Sequence, residues 1–513
     1  MHKSILRGLA IALTIAGLIA INKCIFRGYP LSADETQYLA QAQLFAHGKL
    51  HSTGDIPPHW LASHTWIGPG KWMSKYPPGT SILLAIGILL GDVSISGALA
   101  GALSLLLMYR FVRPWTEGPV ALASTVIVAL HPVFWGYAAS YFSQIYSLCF
   151  SLALLVFATE DRGRGRLWLE IFAAALMAGL VLIRPSDAGC AWLALLPFLL
   201  LRRDFRGALA ITLGLTVGAL TLCGYHSITV GSFRLALYGE SFFTLLAYLA
   251  GDLRSSSVEY WTWYWRGLSL RTGQLLWTWF GRYGGWALLF GGMGGLFACH
   301  RIPRFHRAYL LSMAAVTLGF YSFIPFMGWP THGIRYQIVV VVIFGILFAA
   351  LLQWGTETAR RHFPSLGRLA WIPLGALVAW QGFVASAKMK DLSVRFQVVD
   401  EQFAKISSDC PDRTVVRGLD SFEPLAPFFI NADTFARLAD PTGDVPAARS
   451  LKGRHLFIKT WKEQDESWLL RHPEWKLCVI QLPSLHELRG KLRASELQPF
   501  FVPFRGDARG VPL

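Results

Sequence analysis

Apolar residues in this chain come in blocks close to the length that crosses about 30 Å of hydrocarbon as a helix. They lie at 5–22, 93–109, 119–136, 141–159, 167–183, 187–201, 207–224, 284–299, 308–326, 335–354 and 368–386. In lipid every backbone N–H and C=O must be satisfied within the protein, so blocks of this kind are read as helices. Composition agrees. Of 513 residues, 53% are hydrophobic and 15% charged, whereas a soluble domain carries roughly a quarter charged. Charge is too scarce to cover several soluble cores. The expected fold is an all-α polytopic membrane protein with about eleven transmembrane helices. The opening MHKSILRGLAIALTIAGLIAINK reads as a retained first helix, because its apolar run continues without a small-residue cleavage site.

A formal charge of +16 raises the question of nucleic acid. The arginines instead cluster in short loops: YRFVRPW, EDRGRGR, RRDFR, HRIPRFHR and ARRHFPSLGR. With a cytoplasmic N-terminus and eleven crossings, all of these loops fall inside, as positive-inside bias requires, and no nucleic-acid partner is needed. Shifting the count by one would expel them. The segment 76–91, YPPGTSILLAIGILLG, is therefore read as a helix in the outer interface, started by Pro77 and Pro78, with Gly79 allowing a close turn.

Two long external loops follow from this count. Loop 23–92 contains SADETQYLAQAQLFAHGKL, predicted as a short amphipathic helix after Ser32 with Tyr38, Leu39, Ala42 and Phe45 on its apolar side. Loop 225–283 is rich in Tyr, Trp and Arg and suits the headgroup layer. Near 387 the composition changes, dividing the chain into a membrane domain, 1–386, and a small external α/β or α+β domain, 387–513. Strands are expected at 414–416, 455–461 and 476–482, and helices at 390–406 and 421–428. Seven cysteines are scattered without a CxxC pair, so neither a zinc site nor a redox motif is indicated. Cys410 and Cys478 share the external domain and could pair if the compartment is oxidising.

Several polar residues stand where chemistry could use them. Asp34 and Glu35 are adjacent carboxylates just beyond the first span. They can cap a helix or favour its dipole, or one can serve as a general base toward an acceptor hydroxyl or amine. Helical neighbours point about 100° apart, so only one of the two faces a given substrate atom. Lys75 is either a snorkelling anchor or a cation beside a lipid phosphate. Arg184, in IRPSD, and Arg335, in HGIRYQ, sit on the external side against the positive-inside trend. Each either pairs with an acid such as Asp187 or offers a fork to phosphate oxygens. His332 precedes Arg335 by three residues. His47, His51, His59 and His64 enrich the first loop and His226 opens the second, but no HExxH spacing appears. A bound divalent ion is left open. GGWALLFGGMGG is read as close helix packing.

The order ADETQYLAQAQLFAHG, KYPPGTSILLAIG, YRFVRPW, IRPSDAG and HGIRYQ resembles the GT-C glycosyltransferase superfamily over roughly 1–355. The resemblance is to bacterial members related to protein O-mannosyltransferases and to the aminoarabinose transferases that modify lipid A. It implies a polyprenyl-phosphate sugar donor, an inverting transfer and no nucleotide sugar at the active site. By the family pattern Asp34, with Glu35 beside it, is catalytic. Lys75 contacts the carrier phosphate, and Arg335 with Tyr336 opens a late span near it; Arg184 and His332 are further candidates for the phosphate. This chain reads YPPGT where aminoarabinose-type members read nearer to KPPL, which favours another donor sugar. Implied partners are the lipid-linked donor, anionic membrane lipids and an envelope glycan, lipid or protein acceptor. The implied location is a bacterial inner membrane with the site on its outer face. The rival readings are a transporter or flippase of lipid-linked substrates and a non-catalytic envelope assembly protein.

Overall fold

A computed structural model describes residues 2–28, 30, 33–52, 65–68, 71–159, 167–233, 235, 286–322, 338–362, 371–409, 414–417, 455–458 and 476–479. Helix α1 (His2–Ala20) runs on into a π-helical turn, Ile21–Ile25. After it come α2 (Ala33–Ala46), a hairpin of β1 (Thr65–Gly68) and β2 (Lys71–Ser74), and α3 (Pro78–Leu89). The bundle continues with α4 (Ser94–Val112), α5 (Gly118–Ala129), α6 (Pro132–Ala138), α7 (Ser143–Thr159), α8 (Leu167–Ile183), α9 (Pro185–Leu201) and α10 (Phe205–Val230). It closes with α11 (Trp286–Phe297), α12 (Arg304–Ser322), α13 (Ile338–His362) and α14 (Trp371–Asp409). Every apolar block expected from the sequence carries helix. Among the described residues, three helices are long and apolar enough to cross a membrane by themselves: α4 with its extension to Trp115, α10 and α13. Large side chains such as Leu209, Leu213 and Leu220 on α10 face outward, as lipid contact requires.

Four local expectations need correction. The block 119–136 is two helices, α5 and α6, bent by 71°. Pro132 disfavours helix at His131, and His131 instead caps α6, its Nδ1 accepting the Val133 N–H at 3.3 Å. Helix α2 is not amphipathic, because Asp34, Glu35, Gln37, Gln41 and Gln43 are as buried as its apolar residues; it packs on α3 and β2 as well as the bundle. Helix α10 extends past 225, so His226 lies in its last turns and is buried. The hairpin pairs Thr65 with Ser74 and Gly68 with Lys71 inside loop 23–92, assigned only helices.

Among the described residues, basic side chains of the loops YRFVRPW, RRDFR and HRIPRFHR and of the end of α13 gather at one end of the bundle. Arg360 Nη2 lies 2.9 Å from Glu117 Oε2, and Arg301 pairs with Glu357 at 3.0 Å. Phe111 packs on His306 with ring centroids 5.1 Å apart, and the Arg202 guanidinium lies 4.7 Å from the Phe305 ring centroid. Helix α9 is capped by Arg202 at this end and carries Asp187 in its first turn at the other.

Glycines set the closest helix contacts. A Cβ at Gly214 or Gly218 of α10 would lie 2.3 or 2.8 Å from the carbonyl oxygens of Ala174 and Ala178 on α8. A Cβ at Gly295 of α11 would lie 2.0 Å from the Leu347 oxygen on α13. This is the small-residue packing read from GGWALLFGGMGG.

Beyond the bundle, α14 passes through 387 without a break. Strands β3 (Thr414–Arg417), β4 (His455–Ile458) and β5 (Lys476–Val479) form a parallel sheet in the order β4-β3-β5. The expected helix at 421–428, Cys410 and the Cys478 side chain lie outside the described residues.

Gly295→Leu tests the α11–α13 seam. Overpacking against backbone should cost about 1–3 kcal/mol, seen as a lowered unfolding temperature of the detergent-solubilised protein. The same change at Gly189, where a Cβ meets nothing within 4 Å, should leave that temperature nearly unchanged.

Candidate active site at the acid-bearing end

The end opposite the basic loops is built around α2. Asp34, Tyr38 and Gln41 recur at i, i+4 and i+7 and share one face. That face meets the strand-to-helix junction between β2 and α3. Ser74 donates its N–H to Gln41 Oε1 at 3.0 Å. Tyr76 donates its hydroxyl to Asp34 Oδ1 at 2.6 Å. Gln41 Nε2 also donates to the Leu50 carbonyl at 2.8 Å, so this buried amide joins three segments. The Tyr38 and Tyr76 rings lie 4.7 Å apart. Lys75, half-buried, precedes Tyr76 in the same junction.

The adjacent carboxylates have different surroundings, as their angular separation predicts. Asp34 meets the Tyr76 hydroxyl. Glu35 is fully buried and accepts the Tyr141 backbone N–H at 2.7 Å. Tyr141 in turn donates toward Asn22 Oδ1 at 3.3 Å and the Gly28 carbonyl at 3.2 Å. Asn22 Nδ2 donates to the Ala139 carbonyl at 2.7 Å. Glu35 therefore ties α2 to the π-helical turn and the α6–α7 junction. Such turns inside helices occur often at functional sites.

A second cluster sits where α8 breaks into α9. Arg184 Nε donates to Asp187 Oδ2 at 2.8 Å, Nη1 to Ser143 Oγ at 3.2 Å and Nη2 to the Tyr321 hydroxyl at 3.0 Å. Ser147 and Tyr321 both donate to Asp187. The pairing of Arg184 with Asp187, one of the two readings of IRPSD, is present. Gly79 joins this cluster to the α2 face. Its backbone is not in a left-handed conformation, so the close turn expected of it is not why glycine stands there. A Cβ would lie 2.6–2.8 Å from backbone atoms of Leu182 and Ile183.

Asp92, in the turn between α3 and α4, accepts Ser94 N–H and Oγ–H at 2.9 and 2.8 Å and pairs with Lys23 at 2.9 Å. Burial pushes its carboxyl up, but the Lys23 and Ser94 contacts outweigh this and hold it below the usual carboxylate range.

The structure brings Asp34, Glu35, Lys75 and Arg184 to one end. Arg335, Tyr336, His332, His59 and His64 lie outside the described residues. Among the described residues no group of three or more His, Cys, Asp or Glu could hold a metal ion. Tyr76, Tyr38, Ser143 and Tyr321 were missed. Only Tyr76 had a local signal, standing directly before the paired prolines; the others are defined by contacts more than a hundred residues apart.

No protein-family model matches the chain, and no curated protein matches it in sequence. Solved structures do match. ArnT from Cupriavidus metallidurans bound to undecaprenyl phosphate superposes with a TM-score of 0.56 at 13% identity, covering 95% of this chain and 91% of that one. Its apo state gives 0.53 at 13% identity, over 95% and 90% of the two chains. The Archaeoglobus fulgidus oligosaccharyltransferase in complex with Zn and sulfate gives 0.51 at 14% identity, over 83% of this chain and 61% of that chain. Both proteins are GT-C superfamily members, and the likeness shows that this chain has their fold.

Gly79→Val should separate the α3 start from the α8–α9 break, lowering the unfolding temperature and any activity of this end together. Because the Asp92 carboxyl is depressed, its stabilising contribution is complete above its unfolded pKa of about 4. It is lost as pH falls through the lower folded value, so Asp92→Asn should flatten that acid limb in a stability titration.

Proposed function

We propose that this protein transfers a sugar from a polyprenyl-phosphate carrier to an extracytoplasmic acceptor, with Asp34 as general base. The observation that carries the proposal is the seat of Asp34: a buried carboxylate bonded by Tyr76, in the junction that also carries Lys75. Its support is the fold shared with a transferase bound to undecaprenyl phosphate. Positive-inside bias puts the basic end in the cytoplasm and the Asp34 end outside. Eleven crossings accompany this orientation; an inner-membrane location is what the family resemblance implies, and the division into residues 1–386 and 387–513 rests on the change of composition near 387.

The chemistry suits such a site. The carrier tail lies among lipid-facing helices with its phosphate at the interface, near Lys75. By the family pattern Arg335 and Tyr336 join it there, and His332, three residues before Arg335, helps hold it. Asp34 takes the proton of an acceptor hydroxyl or amine as that atom attacks the anomeric carbon. The bond from this carbon to the phosphate oxygen breaks on the opposite face, inverting the centre, and the carrier leaves as its phosphate. Matched positive charge stabilises that leaving group, so a second carboxylic acid need not protonate it, unlike in glycosidases. Tyr76 restricts the Asp34 carboxylate to one orientation. Glu35, bonded to backbone within the packed interior, fits a supporting role.

The test is transfer of label from a panel of radiolabelled polyprenyl-phosphate sugars to envelope extract, with release of carrier phosphate. Asp34→Asn should reduce transfer by about a hundredfold or more, the range of a lost general base, while the protein stays folded and inserted. Tyr76→Phe should lower kcat by about tenfold, as for a lost hydrogen bond to a charged group. Full activity in Asp34→Asn would reduce that residue to a helix cap, and no transfer from any donor by folded wild type would shift the reading to transport or assembly.

A further inference from the structure

We infer that Arg184 is a positioning residue: its ion-paired guanidinium sets the orientation of Asp34 through Ser143, Tyr38 and Tyr76. The inference rests on Asp34 as the base of the proposed transfer and deepens that reading. It also assigns Arg184 a role other than the phosphate contact that its external position suggests.

The path is continuous. Arg184 Nη1 donates to Ser143 Oγ at 3.2 Å, and Tyr38 donates its hydroxyl to the same oxygen at 3.3 Å. Ser143 sends its own proton toward Gln144 Oε1 at 3.5 Å, so this hydroxyl accepts twice and donates once, its full capacity. The Tyr38 ring lies against the Tyr76 ring at 4.7 Å, and the Tyr76 hydroxyl reaches Asp34 at 2.6 Å. Gly79 makes a second connection, by close backbone packing. Three residues after Tyr76, it lies against the backbone of Leu182 and Ile183, directly before Arg184. The two clusters are thus fixed to one another by side chains and by backbone.

Phosphate recognition by arginine uses two parallel N–H groups on one edge of the fork. Here Nε, Nη1 and Nη2 each already donate to protein, so three of the five N–H groups of the fork are committed to partners on α7, α9 and α12. The charge is matched by Asp187, both side chains being nearly buried at 11% and 13% exposure. Tyr321, held by Arg184, Ser186 and Asp187, brings the end of α12 into the same brace. A guanidinium so placed is fixed in direction, which a positioning role requires.

Breaking a buried ion pair leaves an uncompensated charge, so Arg184→Gln alone could fail by unfolding. Ser143→Ala and Tyr38→Phe cut the path without touching the pair, and all three are measured for kcat and donor KM with a polyprenyl-phosphate sugar. Each should lower kcat by about tenfold, as small misplacements of a reacting group do, with donor KM changed by less than about twofold. Arg184→Gln combined with Ser143→Ala should be no worse than the weaker single variant, the signature of one shared path. A higher donor KM confined to Arg184→Gln, with kcat recovered at saturating donor and Ser143→Ala silent, would overturn the inference and make Arg184 a phosphate ligand.

If wild type transfers from no such donor, the transferase reading fails and the path is read without activity. The 19F resonance of 3-fluorotyrosine placed at position 76, calibrated with Asp34→Asn, should then shift in Ser143→Ala and in Arg184→Gln. An unmoved resonance in both would refute the path itself.

Discussion

A carboxylate withdrawn from water must find donors inside the protein or lose its charge, and two adjacent ones at the head of α2 organise this end of the bundle. Glu35 finds the Tyr141 backbone N–H, and that single contact draws in Asn22, Gly28 and Ala139. The π-helical turn, α2 and the α6–α7 junction are bound together as a result. Asp34 finds the Tyr76 hydroxyl on a segment that sequence places about forty residues away. One helical step separates an acid bonded to interior backbone from an acid bonded by a tyrosine of the β2–α3 junction.

The same economy of partners runs through the rest of the molecule. Gln41 joins α2, β2 and the chain at Leu50. Arg184 and Asp187 join α7, α9 and α12. Because side chains facing lipid gain little from association, helices in a membrane hold together by close packing and by such internal polar ties. Glycine seams at Gly214, Gly218 and Gly295 supply the first, and the polar clusters supply the second. They also separate by position: the basic pairs stabilise one end, and the acids with their tyrosines occupy the other.

Much of this was legible in the chain. The apolar blocks fall on helices, the described basic loops share one end, and the short apolar runs after 387 include the three strands. The errors have identifiable causes. Periodicity cannot see a bend, so α5 and α6 read as one block although His131-Pro132 marked the break. A helix dense in Gln, Glu and Asp reads as half-exposed, because burial of polar side chains depends on partners that lie elsewhere in the chain. Gly79 was legible as special, but the reason proved to be the approach of another helix rather than its own backbone angles.

The sequence by itself determined that the chain must lie in lipid, that its charge orders the ends of its helices, and that Asp34, Lys75 and Arg184 deserve scrutiny. These are local properties, carried by length, hydropathy and sign of charge. Only the tertiary structure decided that Asp34 and Glu35 have different partners, that Tyr76 holds the former, and that Arg184 is neutralised by Asp187 yet joined to Tyr38 through Ser143. Those facts depend on contacts across as many as 106 residues of chain, and no local pattern encodes which distant partner a buried polar group will meet.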